Sequence, residues 1–278
     1  MFANEDIREN IVAGSFYPGN PQALENMVKK FLGNAEDRKI KKIKALVCPH
    51  AGYIYSGQVA ACSYRQVMGK EFDSVIIIAP SHSEHFDFNS VYNGKAYQTP
   101  LGMVSIDNES CEKLTASGSQ SIRLSKNGHR TEHSLEVQLP FMQIALKNLQ
   151  IVPIVMGIQS KTNTESLGTA IGELFKGKNI LLVASTDLSH YHPYNIAVSL
   201  DKKVEELIRN FDIEGLEAAF LSDRLEMCGG GPVIAVMIAS KILGAQNSEI
   251  LCYMNSGDTS GDRSAVVGYL SAVLYQKP

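Results

Sequence analysis

Residues 179–192 read NILLVASTDLSHYH, and this stretch decides the fold. It begins with five consecutive aliphatic residues, ILLVA at 180–184, without a charge. Such a run is typical of a strand buried on both faces in a mostly parallel sheet. Asp187, His190 and His192 follow directly, at the C-terminal end of that strand. Because open α/β sheets bind ligands at the carboxyl ends of their strands, this stretch predicts a functional site there.

Two earlier stretches repeat the pattern of an apolar strand followed by a histidine. Residues 44–50 read KALVCPH and residues 74–82 read SVIIIAPSH. In both, a proline next to or near the histidine stops the strand. If the three strands belong to one parallel sheet, His50, His82 and His190 converge on one edge of it. This convergence is the central prediction from the sequence.

Composition and the alternation of elements predict one α/β domain that spans residues 1–278. The chain is 44% hydrophobic and 20% charged, which is ordinary for a globular protein. Predicted strands alternate with predicted helices nearly throughout, which favours a mostly parallel central sheet flanked by helices. A helix is expected to begin at Asn20-Pro21, and another at Glu132 that Pro140 kinks or restarts. Pro153 predicts an edge or a bulge in the strand at 151–156, and residues 258–263 predict a polar turn.

Charge and hydropathy exclude several partners. The net charge is -3, and the basic run RKIKKIK at 38–44 is short and predicts a solvated lead-in to a strand, so nucleic acid is excluded as a main partner. No apolar run reaches the about 18–20 residues of a membrane span. The polar start, MFANEDIREN, predicts no signal peptide and therefore a cytoplasmic protein. The five cysteines lack a paired spacing and are expected to be reduced thiols.

Metal ligation is the favoured interpretation of His50 and His82. They are separated by one strand-helix-strand unit, and imidazole is the commonest metal ligand in proteins. Two candidates remain for the third ligand, the Asp187 carboxylate and the Cys228 thiolate. A cysteine is more often a buried apolar thiol. Here the three glycines that follow it and a helix N-terminus predict a lowered thiol pKa, which favours a function for Cys228.

Three further residues are candidates for proton transfer. His190 follows Asp187 by three positions, so Asp187 either finishes the strand by a hydrogen bond to it or orients it as a general acid/base. His133 follows Glu132 at a helix start, where it lines the pocket or caps the helix. The other three histidines, His85, His129 and His192, are expected on the surface or in loops.

Eight motifs together resemble the MEMO family, whose microbial members are also called AmmeMemoRadiSam system protein B. They are AGSFYPG, PHAGYIYSG, APSH, EHSLEVQLPF, IVPIVMG, STDLSH, CGGGP and YMNSGDTSGDRSAVVGY, and they span residues 13–269. The resemblance implies a fold similar to class III extradiol dioxygenases, the non-haem iron enzymes that cleave catechol rings. It also implies metal ligation by His50 and His82.

The resemblance assigns roles to the remaining site residues. Cys228 matches the position where the dioxygenases have a glutamate ligand, and His190 matches their acid/base histidine. His133 and Asp187 would line the same pocket. The thiolate puts ring cleavage in doubt, because a softer ligand can favour copper or zinc over ferrous iron.

Three functions follow as hypotheses. The first is a non-haem iron (Fe2+) oxidoreductase, dioxygenase-like, that acts on a small phenolic molecule. The second is a non-catalytic scaffold that holds a peptide or a phosphate-bearing partner in the same pocket. The third is a hydrolase with Cys228 as nucleophile and His190 or His133 as base.

Overall fold

Strands and helices alternate along most of the chain in this computed structural model, which describes residues 6–277. The strands are β1 (Ile7–Arg8), β2 (Ile43–Cys48), β3 (Ser74–Pro80), β4 (Asn89–Val91), β5 (Ala96–Thr99), β6 (Gly102–Ile106), β7 (Ile122–Leu124), β8 (Gln150–Met156), β9 (Ile180–Ser185), β10 (His190–His192), β11 (Asn247–Asn255) and β12 (Val266–Tyr275). The α-helices are α1 (Pro21–Asn34), α2 (Tyr53–Arg65), α3 (Asn108–Thr115), α4 (Leu139–Ala145), α5 (Lys161–Leu174), α6 (Tyr194–Arg209), α7 (Ile213–Leu221), α8 (Gly230–Ile242) and α9 (Ser256–Ser260).

One large sheet forms the centre of the molecule, in the order β1-β5-β6-β8-β3-β9-β2-β12-β10. The five strands from β6 to β2 are mutually parallel, and β12 is antiparallel to both β2 and β11. All residues of β3 and β9 are buried, as expected for aliphatic strands covered on both faces. The predicted α/β fold with a mostly parallel central sheet is therefore confirmed.

The three strands that precede the histidines are direct neighbours, in the order β3-β9-β2. β9 pairs with β2 from Leu182 to Ser185 and with β3 from Ile180 to Ala184. Their carboxyl ends therefore lie side by side, and this edge of the sheet carries the candidate site. Among residues 6–277, none of the helices is long and apolar enough to cross a membrane.

The prediction that Pro153 marks an edge or a bulge is wrong. β8 is an interior strand, with β3 on one side and with β6 and β4 sharing the other. On that shared side, β6 pairs only as far as Ile151 and β4 begins at Ile154, so Pro153 lies where the neighbour changes. Its carbonyl accepts a hydrogen bond from the Tyr92 amide on the β4 side. A missing amide hydrogen is tolerated in an interior strand at such a change of partner.

Two other local predictions differ from the structure. No helix begins at Glu132, because a 3-10 turn at Glu136–Gln138 comes first and α4 starts at Leu139. Pro140 thus stands near the start of α4, where its missing amide costs no hydrogen bond. The segment expected as a polar turn begins inside the short helix α9, in which Asn255 and Asp258 form a capping box. The helix start at Asn20-Pro21 is confirmed, with the Asn20 side chain accepting a bond from the Ala23 amide.

Candidate metal centre

His50, His82 and Cys228 meet at the carboxyl edge of the central strands. One ligand atom of each, an imidazole nitrogen or the sulfur, lies within 4.8 Å of the other two. Cys228 Sγ is 3.1 Å from His50 Nε2. His50 is the second residue after the end of β2, and His82 is the second residue after the end of β3. The convergence predicted from the sequence is therefore present for these two histidines, and Cys228 joins them from the turn before α8.

Buried hydrogen bonds fix the His50 ring. Its Nδ1 lies 3.0 Å from Ser185 Oγ, and that hydroxyl donates its own hydrogen to the Ser134 carbonyl at 2.7 Å. The Ser185 oxygen can then only accept from His50, so Nδ1 carries the imidazole hydrogen. In the neutral ring, the unprotonated Nε2 therefore points toward Cys228. Burial, followed by the charges of His82 and His133, lowers the pKa of His50 well below its usual value.

Glu132 fixes the orientation of the His82 ring, as Ser185 does for His50. Its carboxylate accepts from His82 Nδ1 at 2.9 Å and from the backbone amides of His133 and Ser134 at 2.9 Å each. Burial disfavours the charge of Glu132, but the hydrogen bonds from His82 outweigh it and lower its pKa to about 2. An ionised carboxylate only accepts hydrogen bonds, so His82 keeps a hydrogen on Nδ1, and Nε2 is the nitrogen without one in the neutral ring. Burial lowers the pKa of His82, but the hydrogen bond and the charge of Glu132 outweigh it and raise that pKa, so a metal ion would displace a proton from Nε2 when that nitrogen is protonated. This carboxylate-imidazole pair is the arrangement that commonly orients metal-binding histidines.

His133 completes a cluster of three imidazoles. Its ring centroid is 5.0 Å from that of His82 and 5.6 Å from that of His50. Its Nδ1 lies 3.2 Å from the same Glu132 oxygen that holds His82. Phe16 packs against it, with ring centroids 4.7 Å apart. His133 thus lies beside His50 and His82, in the loop before α4 and not at the expected helix start.

The Asp187 carboxylate contacts both the backbone and the ring of His50. Its Oδ1 accepts a bond from the His50 amide at 2.8 Å, and its Oδ2 lies 3.9 Å from His50 Nε2. Within the part of the chain that the structure describes, no hydrogen bond joins Asp187 to His190, so the expected Asp-His pair is not formed. Burial raises the pKa of Asp187 to about 7, against the lowering effect of the His50 and Ala51 amides.

Two backbone bonds hold Cys228 against the end of β9. The Asp187 amide donates to Cys228 Sγ at 3.1 Å, and the Cys228 amide donates to the Asp187 carbonyl at 3.2 Å. The next residue, Gly229, packs so closely that a Cβ there would lie 2.2 Å from the Ser185 carbonyl oxygen. The expected lowering of the thiol pKa is not found: burial, followed by the charge of Asp187, raises the pKa of Cys228 in the protein without metal. Burial outweighs the glycine turn and the helix N-terminus.

His190 lies on β10 at the margin of this cluster and is half-buried. Burial lowers the pKa of His190. A positive charge on His190 would disfavour protonation of His50, so the two rings are electrostatically coupled. The neighbouring amide of Ser189 donates to the buried Asp201 carboxylate at 2.9 Å, which anchors the start of β10.

The remaining histidines separate into three environments. His85 is exposed, and His192 lies 2.8 Å from a Glu226 oxygen at the surface. His129, which was expected at the surface or in a loop, lies in the turn after β7, but it is 1% exposed and bonds to Tyr97 and to the Ser90 carbonyl. Its loop position agrees with the prediction; its burial was not predicted, because nothing in the local sequence shows that β4 and β5 cover this loop.

The sequence analysis missed two residues that orient the ligands, Glu132 and Ser185. Both were visible in the motifs EHSLE and STDLSH, beside residues that were chosen. A carboxylate directly before His133 signals an orienting group, but its partner is His82, which lies 50 residues away. Only the folded structure reveals that pairing.

Comparison with known proteins identifies the family. The sequence profile described as "Memo-like protein" matches residues 8–273. A MEMO1 family protein of Methanosarcina barkeri is 40% identical over 96% of this chain and 100% of its own length. Similar proteins of the same description occur in Nitrosopumilus maritimus, at 38% identity over 95% of this chain and 98% of the relative, and in Aquifex aeolicus, at 37% identity over 96% and 99%. With matches that cover nearly the whole chain, this protein belongs to the MEMO family.

Proposed function

We propose that this protein is a metal-dependent redox enzyme in which His50, His82 and Cys228 hold iron. The observation that carries the proposal is the convergence of three ligand atoms within 4.8 Å of one another. Both histidines have their Nδ1 engaged by a buried acceptor, which leaves each Nε2 free to ligate.

The donor set fits a metal ion. Two imidazoles and one thiolate supply three ligands, and a three-ligand site leaves positions open for a small molecule. The half-buried Cys228 thiol has a raised pKa and is protonated when no metal is present, and metal binding would displace that proton. Bound ferrous iron would supply one-electron redox chemistry to a small phenolic substrate, whereas copper or zinc would suit the softer thiolate.

The protein's own residues would move the substrate's proton. Burial lowers the pKa of His190, which favours the neutral ring at pH 7. Its unprotonated ring nitrogen can then accept a proton from a phenolic hydroxyl. His133 would line the pocket, held by Glu132 and by Phe16. Asp187 would keep the His50 segment in place through the His50 amide.

Elemental analysis of protein purified anaerobically without added metal tests this proposal. We expect near-stoichiometric iron in the wild type and in Cys252→Ser, which removes a half-buried thiol elsewhere. Iron should fall at least about tenfold in Cys228→Ser and in His50→Ala, because each removes a ligand. Unchanged metal content in both ligand variants would overturn the proposal. Oxygen consumption with catechol-like compounds would then test the redox activity.

A cysteine nucleophile is a second candidate, favoured by the 3.1 Å contact between Cys228 Sγ and His50 Nε2. That contact makes His50 the nearest base, in place of the His190 or His133 expected from the sequence. Iodoacetamide labelling of protein treated with a chelator distinguishes the two functions. Rapid labelling of Cys228 that is lost in His50→Ala, with no metal in the untreated protein, would favour the nucleophile.

A further inference from the structure

A groove of about 620 Å³ lies at the end of the sheet opposite the metal centre. It is formed where β2, β3 and β9 begin, between the C-terminal end of α2 and the segment that leads into β2. We call it the basal groove. Five basic residues line it, namely Lys39, Lys41, Lys42, Arg65 and Lys70.

Positive charge in the basal groove is only partly neutralised. The two acidic residues that line it are already engaged: Asp37 pairs with Lys39 at 2.7 Å, and Glu71 accepts a bond from Asn148 at 2.7 Å. Lys41 and Lys42 are exposed and form no ion pair with any residue from 6 to 277. On a chain with a net charge of -3, this concentration of cations creates a local positive potential that attracts anions.

Arg65 supplies an unsatisfied donor at the wall of the basal groove. Its Nε is buried and finds no acceptor in the described part of the chain. A buried donor without a partner is unfavourable, and because Nε is closed off from solvent, the Arg65 side chain must turn toward the groove before an oxyanion could satisfy it. The planar guanidinium matches the geometry of phosphate oxygens better than a lysine ammonium does.

The backbone of the basal groove is held in an uncommon conformation. Lys39 and Lys42 have φ values of 57° and 51°, in the left-handed region that favours glycine. Residues other than glycine adopt this left-handed conformation only where the surrounding structure requires it, and such residues cluster at binding sites. This conformation belongs to the basic run at 38–44, for which the sequence predicted only a solvated lead-in to a strand.

One part of the basal groove is apolar. Met68 is 42% exposed, although its side chain is large and hydrophobic, and the half-buried Phe72 also lines the groove. We propose that the basal groove binds a small organic phosphate, with its phosphates on the basic residues and its organic body on Met68 and Phe72. The volume of the groove falls within the range of small-molecule sites, about 300–1,000 Å³, which suits a nucleotide-sized molecule.

Isothermal titration calorimetry with ADP and with pyrophosphate, at low ionic strength, tests this site. We expect saturable binding of both, with ADP binding more tightly because it also covers Met68 and Phe72. Lys41→Gln/Lys42→Gln should weaken both affinities at least about tenfold, since charged hydrogen bonds are lost. The control is Lys202→Gln/Lys203→Gln, which removes the same charge from exposed positions on α6 and should leave both affinities unchanged.

Three results would overturn the proposal. One is the absence of saturable binding to the wild type, and another is an equal loss of affinity in both double variants, which would mean a response to net charge alone. The third is displacement of ADP by an oligoglutamate peptide at similar concentration, which would indicate an acidic polypeptide as the ligand. Binding that persists in His50→Ala supports a site separate from the metal centre, and binding that disappears there contradicts it.

Discussion

Ser185 fixes the ring of His50 although it is not one of the three candidate ligands. Its hydroxyl accepts from His50 Nδ1 only because it donates to the Ser134 carbonyl. Gln138 adds a further bond to the same oxygen at 2.8 Å, so the hydroxyl has no freedom to turn. Ser185, at the buried end of β9, therefore leaves Nε2 as the nitrogen of His50 that could act as a ligand.

Ser185→Ala should weaken metal binding by about 10–100-fold, because the ring loses the partner that fixes its tautomer and orientation. Competition with a chromophoric chelator measures the affinity. Ser63→Ala is the matched control, since Ser63 is equally buried and donates to the Val47 carbonyl at 2.9 Å, away from the ligands. Equal affinities in the two variants would show that Ser185 does not orient His50.

His129 provides a test of pH dependence away from the metal ligands. Its Nε2 donates to the Ser90 carbonyl at 2.9 Å, and its Nδ1 accepts from the Tyr97 hydroxyl at 2.5 Å. Both ring nitrogens are thus satisfied in the neutral form, and burial lowers the pKa of His129 to about 3. In the unfolded chain the pKa is about 6.5, so between these values only the unfolded state takes up the proton.

Stability should therefore fall as the pH drops from 6.5 toward 3. At pH 5 the loss assignable to His129 is about 2 kcal/mol relative to pH 7.5. Urea unfolding at the two pH values measures it in the wild type and in His129→Gln, which should lose about 2 kcal/mol less. His85→Gln, at an exposed position, should behave as the wild type does. An identical pH dependence in all three proteins would refute the assignment.

At the scale of elements, the sequence predicts what depends on local pattern. β9 and β3 were predictable because a run of aliphatic residues without charge is enough to specify a buried strand. The prediction from Pro153 failed because a proline is accepted in this interior strand only where its neighbour changes. That change depends on β6 and β4, which pair one after the other with the side of β8 that faces away from β3. The helix expected at Glu132 does not form for a similar reason: the Glu132 carboxylate accepts bonds from the amide of the distant His82 and from the adjacent His133 amide, and the sequence does not show the first of these.

The turn before α8 is the element that delivers the thiol. Gly229→Ala would place a Cβ 2.2 Å from the Ser185 carbonyl and 2.8 Å from Thr186 Cβ, so the turn must move away from β9. We expect a destabilisation of about 1–3 kcal/mol, as for other overpacked sites, together with reduced metal content. Chemical denaturation and elemental analysis measure these two effects.

Gly33→Ala is the control for Gly229→Ala, since nothing lies within 4 Å of a Cβ at Gly33 in α1. That change should leave metal content unchanged and raise stability by up to about 1 kcal/mol. Loss of metal in both variants, or in neither, would contradict the role given to the turn.

For the whole molecule, the parallel sheet explains how much of the site could be predicted. Carboxyl ends of neighbouring parallel strands share an edge, so His50 and His82 could be brought together from their positions after two strands. The position of Glu132 could not be predicted in the same way, because the sequence pattern does not specify where the loop between β7 and α4 lies relative to that edge. The position of this loop is set by contacts with the N-terminal segment.

Arg8 forms the main contact between β1 and the Glu132 loop. Its guanidinium pairs with Glu136, which is 128 positions away, and donates to the Glu132 carbonyl at 2.5 Å. The Arg8 side chain is 4% exposed and that of Glu136 is fully buried. The Glu136 carboxylate also accepts from the Ile11 amide and from the Tyr17 hydroxyl. The N-terminal segment is thereby joined to the loop that orients His82.

Arg8→Met should destabilise the protein by about 3–5 kcal/mol, because it leaves the Glu136 charge buried without its cation. Arg38→Met, which breaks an exposed pair with Glu249, should cost less than about 1 kcal/mol. Adding Glu136→Gln to Arg8→Met should recover part of the stability, since the uncompensated charge is then removed. Urea unfolding of the wild type, Arg8→Met, Glu136→Gln and the double variant gives the coupling energy between Arg8 and Glu136. If the double variant is as unstable as the two single changes added together, the pair acts independently, and the N-terminal segment does not hold the His82 loop through this charge.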